Sequence, residues 1–359
     1  MTESFGNIVN QPMSRRQLFR RGAAVGAAVA LPAWLLAACG DAGTAAGGAQ
    51  AADGSTVLKA THGTGLCNLG MFLAKERNLT QDESVSIEFV VTPTNADIVT
   101  LFGAGQVDVS LIPYTQFMTL HEQGAPVTIV AGGGVQGCVI AAQPGITSAA
   151  DLRGKTLGTF QADTLDVLPY NYLKQAGIPF GDVTVRYFGT SPELAQAFIG
   201  GSIDAISHVE PYATQALDAT DGSVKLSDGI DVYGPNYTDC VLAVRNQLLT
   251  SNPQSIKALI KGLLVAQQQT EQDRASAVKL TTGVYFKASE ADVLGASTKQ
   301  PNIVDQRTKS QFMLDRGKDM VEMGYLKTAP DASIFDWTLL EQVISENPDL
   351  YGSLAQRSA

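Results

Sequence analysis

Gly200-Gly201-Ser202-Ile203-Asp204-Ala205-Ile206-Ser207-His208-Val209-Glu210-Pro211-Tyr212 is the stretch on which the fold turns. Helical spacing over Pro192–Ile199 runs into a pair of glycines, which end the helix and free the chain to turn. Ile203–Ser207 then reads as a short strand. An earlier copy of this device lies at Leu101-Phe102-Gly103-Ala104-Gly105-Gln106-Val107-Asp108-Val109. There Asn95 can cap a helix carrying Ile98, Val99, Leu101 and Phe102, Gly103 and Gly105 close it, and the strand Val107–Ile112 follows. Two similar helix–glycine–strand units imply two lobes, each with its own α/β layers.

Working outward, strands are expected at Val57–Thr61, Val85–Val91 and Val127–Ala131, with helices over Leu66–Arg77 and Thr115–Glu122. The rhythm restarts after Pro144-Gly145, with strands at Leu157–Phe160 and Val183–Phe188 around a helix at Asp163–Ala176. Cys240–Arg245 adds one strand. The remainder is helical, over Ser255–Asp273, Ala275–Thr282, Glu290–Ala296, Gln311–Met323 and Trp337–Ser345. Alternating strands and helices predict α/β lobes with mostly parallel sheets. Crossings near Ala141–Thr147 and Tyr233–Asp239 would divide the chain. Residues 57–143 plus 239–345 form the first lobe, 144–238 the second, and 346–359 a C-terminal tail.

Ahead of the folded part, Ser14-Arg15-Arg16-Gln17-Leu18-Phe19-Arg20-Arg21 leads into an uncharged small-residue run ending at Leu36-Ala37-Ala38-Cys39. Twin arginines before a short apolar core are an export address. Leu36-Ala37-Ala38-Cys39 resembles the bacterial lipobox, which implies cleavage of 1–38, lipid on Cys39 and a membrane-surface location outside the cytoplasm. Residues 39–56, dominated by Gly, Ala and small polar residues, are expected to be a flexible tether.

The chain carries a net charge of −10, and residues 1–38 hold four Arg and one Glu, which leaves −13 for the rest. That balance argues against nucleic acid and against a basic membrane-binding face. The sequence shows no P-loop, zinc-type Cys/His spacing or Gly-x-Ser-x-Gly elbow. No 18-residue apolar stretch follows the signal, so the exported part is not itself a transporter.

Four elements in order carry a family resemblance: Leu101–Val109, Gly124-Ala125-Pro126-Val127-Thr128-Ile129-Val130-Ala131, Ile146-Thr147-Ser148-Ala149-Ala150-Asp151-Leu152-Arg153-Gly154-Lys155-Thr156-Leu157-Gly158, and Gly200–Tyr212. Together they resemble the ABC-importer substrate-binding lipoproteins that serve nitrate, taurine, aliphatic sulfonates and thiamine-pyrimidine precursors. The resemblance implies a type II periplasmic-binding-protein fold with a hinge between lobes. It also implies a small-molecule solute, an ABC permease partner, a monomer, no catalysis and no cofactor. Thiamine-pyrimidine synthases share the fold, but their cysteine-rich motif is absent here. An enzyme of that kind and a ligand sensor are the alternative readings.

In open α/β sheets ligands bind outside the carboxyl ends of strands. The corresponding loops hold His62, Cys67, Asn68, Asn95, Tyr114, Thr115, Gln161, Asp163, Thr164, His208, Glu210 and Tyr237 as candidate contacts. The loops contain no Lys or Arg, while Asp163, Asp166, Glu210 and Asp239 fall within them. This favours a neutral or cationic organic solute, because clustered carboxylates disfavour another negative charge. Asp163 reads equally as a helix cap, Glu210 as a cap of the following turn, His208 as a core or hinge group, and the tyrosines as packing. With Cys39 lipidated, Cys67, Cys138 and Cys240 remain, an odd number for an oxidising compartment. One reading pairs Cys138 with Cys240 in a disulfide. Another joins the thiols to His62 and His208, but that spacing fits no metal motif and no metal is expected.

Overall fold

The computed structural model describes residues 48–359 other than 52, 53 and 93. The signal, Cys39, the tether up to residue 47 and the Asn95 side chain lie outside the described residues. The first sheet contains β1 (Ala49–Gln50), β2 (Thr56–His62), β3 (Val85–Phe89), β4 (Val109–Pro113) and β5 (Val127–Gly132). The second contains β6 (Cys138–Ala142), β7 (Thr156–Thr159), β8 (Thr184–Tyr187), β9 (Ala205–Val209) and β10 (Val224–Ser227), after which β11 (Cys240–Arg245) returns to the first. The strand orders are β1-β2-β4-β11-β5, with β3 also on β2, and β10-β6-β9-β7-β8.

Both sheets are mixed, where mostly parallel sheets were expected. The βα-connected strands β2, β3 and β4 run parallel, as do β7, β8 and β9. The strands that arrive from the other lobe, β6 and β11, run antiparallel to their neighbours. The expected first crossing at Ala141–Thr147 is also corrected. Cys138–Ala142 already pairs with β9 in the second sheet, so the chain crosses between β5 and β6. The glycines there permit it: Gly137 has φ +80°, which a side chain would strain. The return crossing lies against the first, with Val135 bridging Thr238 and the Asp239 and Cys240 amides donating to Gly134 O.

The repeated device folds alike in both lobes. Helix Asn95–Gly103 leads through Gly105 (φ +74°) to β4, and helix Ser191–Ile199 through Gly201 (φ +68°) to β9. The aspartate before each strand has one job. Asp108 Oδ2 accepts from the Lys59 amide at 3.0 Å, and Asp204 Oδ2 from the Thr156 amide at 2.8 Å. Each carboxylate thereby pins the start of its strand to a parallel neighbour, a charge-assisted bond.

Helix Pro253–Gln272 covers the first sheet. Asn252 caps it, and Ile256, Leu259, Ile260, Leu263 and Leu264 form the buried stripe expected of an amphipathic helix. The ends of the folded chain are tied down. Ala49–Gln50, placed by sequence in the tether, pairs antiparallel with Thr56–Val57. Residues 346–359 are not a loose tail: helix Pro348–Ser353 ends at buried Leu354, and Gln356 O accepts from Gln267 at 2.6 Å.

Candidate functional site

The loops at the carboxyl ends of β2, β4, β7 and β9 face each other across a cavity of about 40 Å³. From the first sheet's side it is lined by Gly63–Gly65, Cys67, Asn68, Ile98, Leu111, Pro113 and Gln116. From the second come Phe160, Asp163, Thr164, Leu165, Ser191 and Val209, with Asp239 at the return crossing. Three direct bonds join the walls: Thr64 Oγ1 donates to Ser191 Oγ at 2.8 Å, the Leu66 amide to Glu210 O at 3.0 Å, and Gln116 Nε2 to Asp163 Oδ2 at 2.7 Å. Outside it opens a groove of about 540 Å³ bordered by Gln161, Tyr187, Phe188 and Tyr325, with Gln116 and Phe160 shared by both spaces.

Of the residues expected here, Cys67, Asn68, Asp163 and Thr164 line the cavity and Gln161 lines the groove. Asp163 caps helix Thr164–Gln175 through the Leu165 amide at 3.1 Å, and it also accepts from Gln116 Nε2 at 2.7 Å. Asp163 is thus the helix cap of one reading, and it also faces the cavity. Burial, with Asp239 nearby, pushes its carboxyl up to about 7. Asp239 accepts from Thr164 Oγ1 at 2.7 Å and from Gln300 Nε2 at 2.8 Å, and burial raises its carboxyl above the ordinary range.

The structure directs the other candidates elsewhere. His62 sits in an aromatic cluster, edge-on to Phe72, Phe89 and Tyr285 at ring distances of 5.0, 4.8 and 5.5 Å. His208 is fully buried. Its Nδ1 accepts from the Val209 amide at 2.9 Å, which leaves Nε2–H to donate to Ser191 O at 2.9 Å. Burial pushes this imidazole down to about 4, so it is a neutral core group. Glu210 accepts from the Thr214 amide at 3.0 Å and from its hydroxyl at 2.9 Å, and it pairs with Lys299 at 3.4 Å. It is the cap of helix Tyr212–Asp218. Tyr114 packs against Phe312, and buried Thr115 is absent from the cavity lining. The Tyr237 hydroxyl donates to Asp228 O at 2.9 Å under the second sheet. Cys138 and Cys240 are free thiols, which overturns the disulfide reading.

Gln116 escaped the sequence reading. Its Nε2 donates to Asp163 Oδ2 at 2.7 Å. Its Oε1 is a buried acceptor with no partner among the described residues, and Asn68 Oδ1 is another. Both residues line the cavity, and among the described residues no Lys or Arg does. Buried acceptors of this kind are costly until a donor arrives. The arrangement fits a molecule that brings N–H or O–H groups and no negative charge.

Two α/β lobes enclosing a cavity between the carboxyl ends of their strands define the type II periplasmic-binding-protein fold. The sequence profile of the NMT1/THI5-like family matches residues 68–275, and the chain belongs to that family. A Brucella abortus (strain 2308) protein named as a binding protein is 23% identical over 265 residues, covering 74% of this chain and 77% of the relative. The crystal structure of the ligand-binding component of a Staphylococcus aureus ABC-type import system, with zinc bound, superposes with a TM-score of 0.70 at 19% identity, covering 80% of this chain and 98% of that one. The periplasmic aliphatic sulphonate binding protein SsuA of Escherichia coli gives 0.67 at 20% identity, covering 79% and 92%.

Proposed function

We propose that this protein is the substrate-binding component of an ABC importer. It is exported by the twin-arginine route and held by lipid on Cys39 to the outer face of the cytoplasmic membrane. It works as a monomer, captures a small polar organic solute between its lobes and delivers it to the permease without chemical change. The lobes divide at the paired crossings, 134–138 and 237–240, which serve as the hinge. Membership of the family and relatives named as binding proteins support this reading. The alternative of an enzyme finds little support in the cavity, where burial and neighbouring carboxylates push the Cys67 thiol up to about 11, far from an activated nucleophile.

The ligand class is a neutral or cationic solute rich in hydrogen-bond donors. The observation that carries it is the Gln116 amide, bonded to Asp163 with its carbonyl oxygen unpartnered among the described residues, in a cavity wall that holds no cation. Asp163 itself occupies the N-terminus of helix Thr164–Gln175, the position an anion would otherwise take. Calorimetric titration with amines, pyrimidines, amides, nitrate and sulfonates tests this. Saturable binding of an amine, amide or pyrimidine is expected. Tight binding of nitrate or a sulfonate that survives Gln116→Ala and Asp163→Asn would defeat it.

A further inference from the structure

We propose that the base of the cleft is a binding site for a soft, thiophilic metal ion, held by Cys67, Asp239 and Cys240 with Cys138 as a fourth donor. The ligand atoms of Cys67, Asp239 and Cys240 already lie within 4.8 Å of one another. Cys138 Sγ is 3.5 Å from Asp239 Oδ1, and Cys240 Sγ is 3.4 Å from Asp239 Oδ2. In a tetrahedral thiolate site the sulfurs stand roughly 3.8 Å apart, given metal–sulfur bonds of about 2.3 Å. Cys138 stands outside the group of three and would have to swing toward it to complete the set. Cys67 and Asp239 border the cavity, which provides the entry path.

Buried free thiols usually act as small apolar groups. Cys138 does pack in the apolar core of the second lobe, yet all three thiols also gather around Asp239. Two of them donate to one buried carboxylate, and the third lies beside it. Their surroundings are built to hold donors in place. Asn68 Nδ2 donates to Cys67 Sγ at 3.2 Å, and Gln300 Nε2 orients Asp239 at 2.8 Å. Outer contacts of this kind fix and tune metal ligands. The glycines of the first crossing lie directly on the cluster. A Cβ at Gly134 would come within 2.4 Å of Cys67, and one at Gly133 would reach the Cys240 side chain at 3.5 Å.

The donor set names the chemistry. Thiolates select zinc or cuprous copper over magnesium or calcium. On binding, each ligating thiol releases its proton to water as the sulfur–metal bond forms, and no oxidation state changes. Cys138 starts the first strand of the second sheet, while Cys67 and Cys240 belong to the first, so one ion would join the lobes at the hinge. The site shares Cys67, Asn68 and Asp239 with the cavity wall, but its argument does not rest on the solute reading.

The test is titration of the purified chain with cadmium and zinc, its thiols kept reduced by a phosphine. One equivalent of cadmium should produce a thiolate-to-metal charge-transfer band, which zinc displaces. Cys67→Ser and Cys240→Ser should each weaken binding by more than about tenfold, the least that even outer contacts cost a metal site. Thermal melts confirm that each variant folds. Should either fail to fold, alkylation of the wild type gives the same answer, because bound zinc should protect Cys67 from a maleimide. Absence of the band, or no protection, overturns the proposal, as does stoichiometric binding that the serine variants leave intact.

Discussion

The base and the outer rim of the cleft are built from opposite materials. At the base, Gln116, Asn68, Asp163 and Asp239 meet without a Lys or Arg on the cavity wall. At the rim, helix Thr164–Gln175 of the second lobe meets helix Ser310–Glu322 through charge. Lys174 pairs with Glu322 at 2.6 Å and with Asp319 at 3.4 Å, and Arg316 reaches Asp319 at 2.8 Å. Tyr325 donates to Asp166 and shares a bond with Tyr187 at 2.7 Å. The rim closes the molecule with charged groups that pair with one another, leaving Asp166 Oδ1 unpartnered among the described residues, while the base leaves the amide oxygens of Gln116 and Asn68 open. Closure and recognition are therefore separable by mutation.

The largest effect is expected at Asp319, which is 5% exposed and joins Arg316, Lys174 and Asn171. Asp319→Ala should cost about 3 kcal/mol of stability, because breaking a buried charged network strands its partners. Urea denaturation measures the loss, and X-ray scattering should show a more open particle. A fully stable, equally compact variant would mean the rim does not hold the lobes.

The next effect depends on pH. Burial raises the Asp166 carboxyl from 3.8 to about 6, against the opposing bond from Tyr325. The folded protein thus binds this proton more tightly than the unfolded chain. Its contribution is complete below pH ~4 and lost as the pH climbs through about 6. Asp166→Asn removes it, so variant-minus-wild-type stability should rise by about 3 kcal/mol from pH 4 to 7. The lowered pKa of His208 acts with opposite sign over the same window, but it is common to both proteins and cancels. A flat difference would show Asp166 to be as well solvated as in the unfolded chain.

Gln116→Ala probes the base. A solute bonded to Oε1 should lose about 1 kcal/mol, roughly fivefold in Kd, from one net hydrogen bond. Calorimetry with the best solute of the screen reads this out, and unchanged affinity would remove Gln116 from recognition. The smallest effect is expected from Lys174→Met. Its ammonium is half exposed, so the loss should stay under about 1 kcal/mol. A larger loss would make the rim more cooperative than its separate pairs.

The same contrast explains what the sequence could tell. Layers and helices were legible because Ile256–Leu264 and the two glycine devices repeat at short, regular spacing. The base was half legible. Asp163, Thr164, Cys67 and Asn68 follow strand ends closely, whereas Gln116 sits inside helix Tyr114–Glu122, beyond the end of β4 at Pro113. His208 and Glu210 stand in equally suggestive loop positions, yet Val209, Ser191 and Thr214 consume their bonds. The rim was illegible: Asp166 and Tyr325 lie 159 residues apart, and no local pattern signals their meeting. The first crossing was misplaced because Pro144-Gly145 looked like a boundary, while the Gly132–Gly137 run that makes the passage looked like a strand end.

The two crossings run side by side, bonded through Val135, Thr238 and Gly134. A single strand of chain would let the lobes swivel, slide and splay. A pair stapled together behaves like a door leaf on two pins, stiff to shear and free mainly to swing about one axis. Such a protein closes to one silhouette rather than a family of them. Spin labels on the two lobes should then report two sharp distances, and a broad spread would show that the pins are loose.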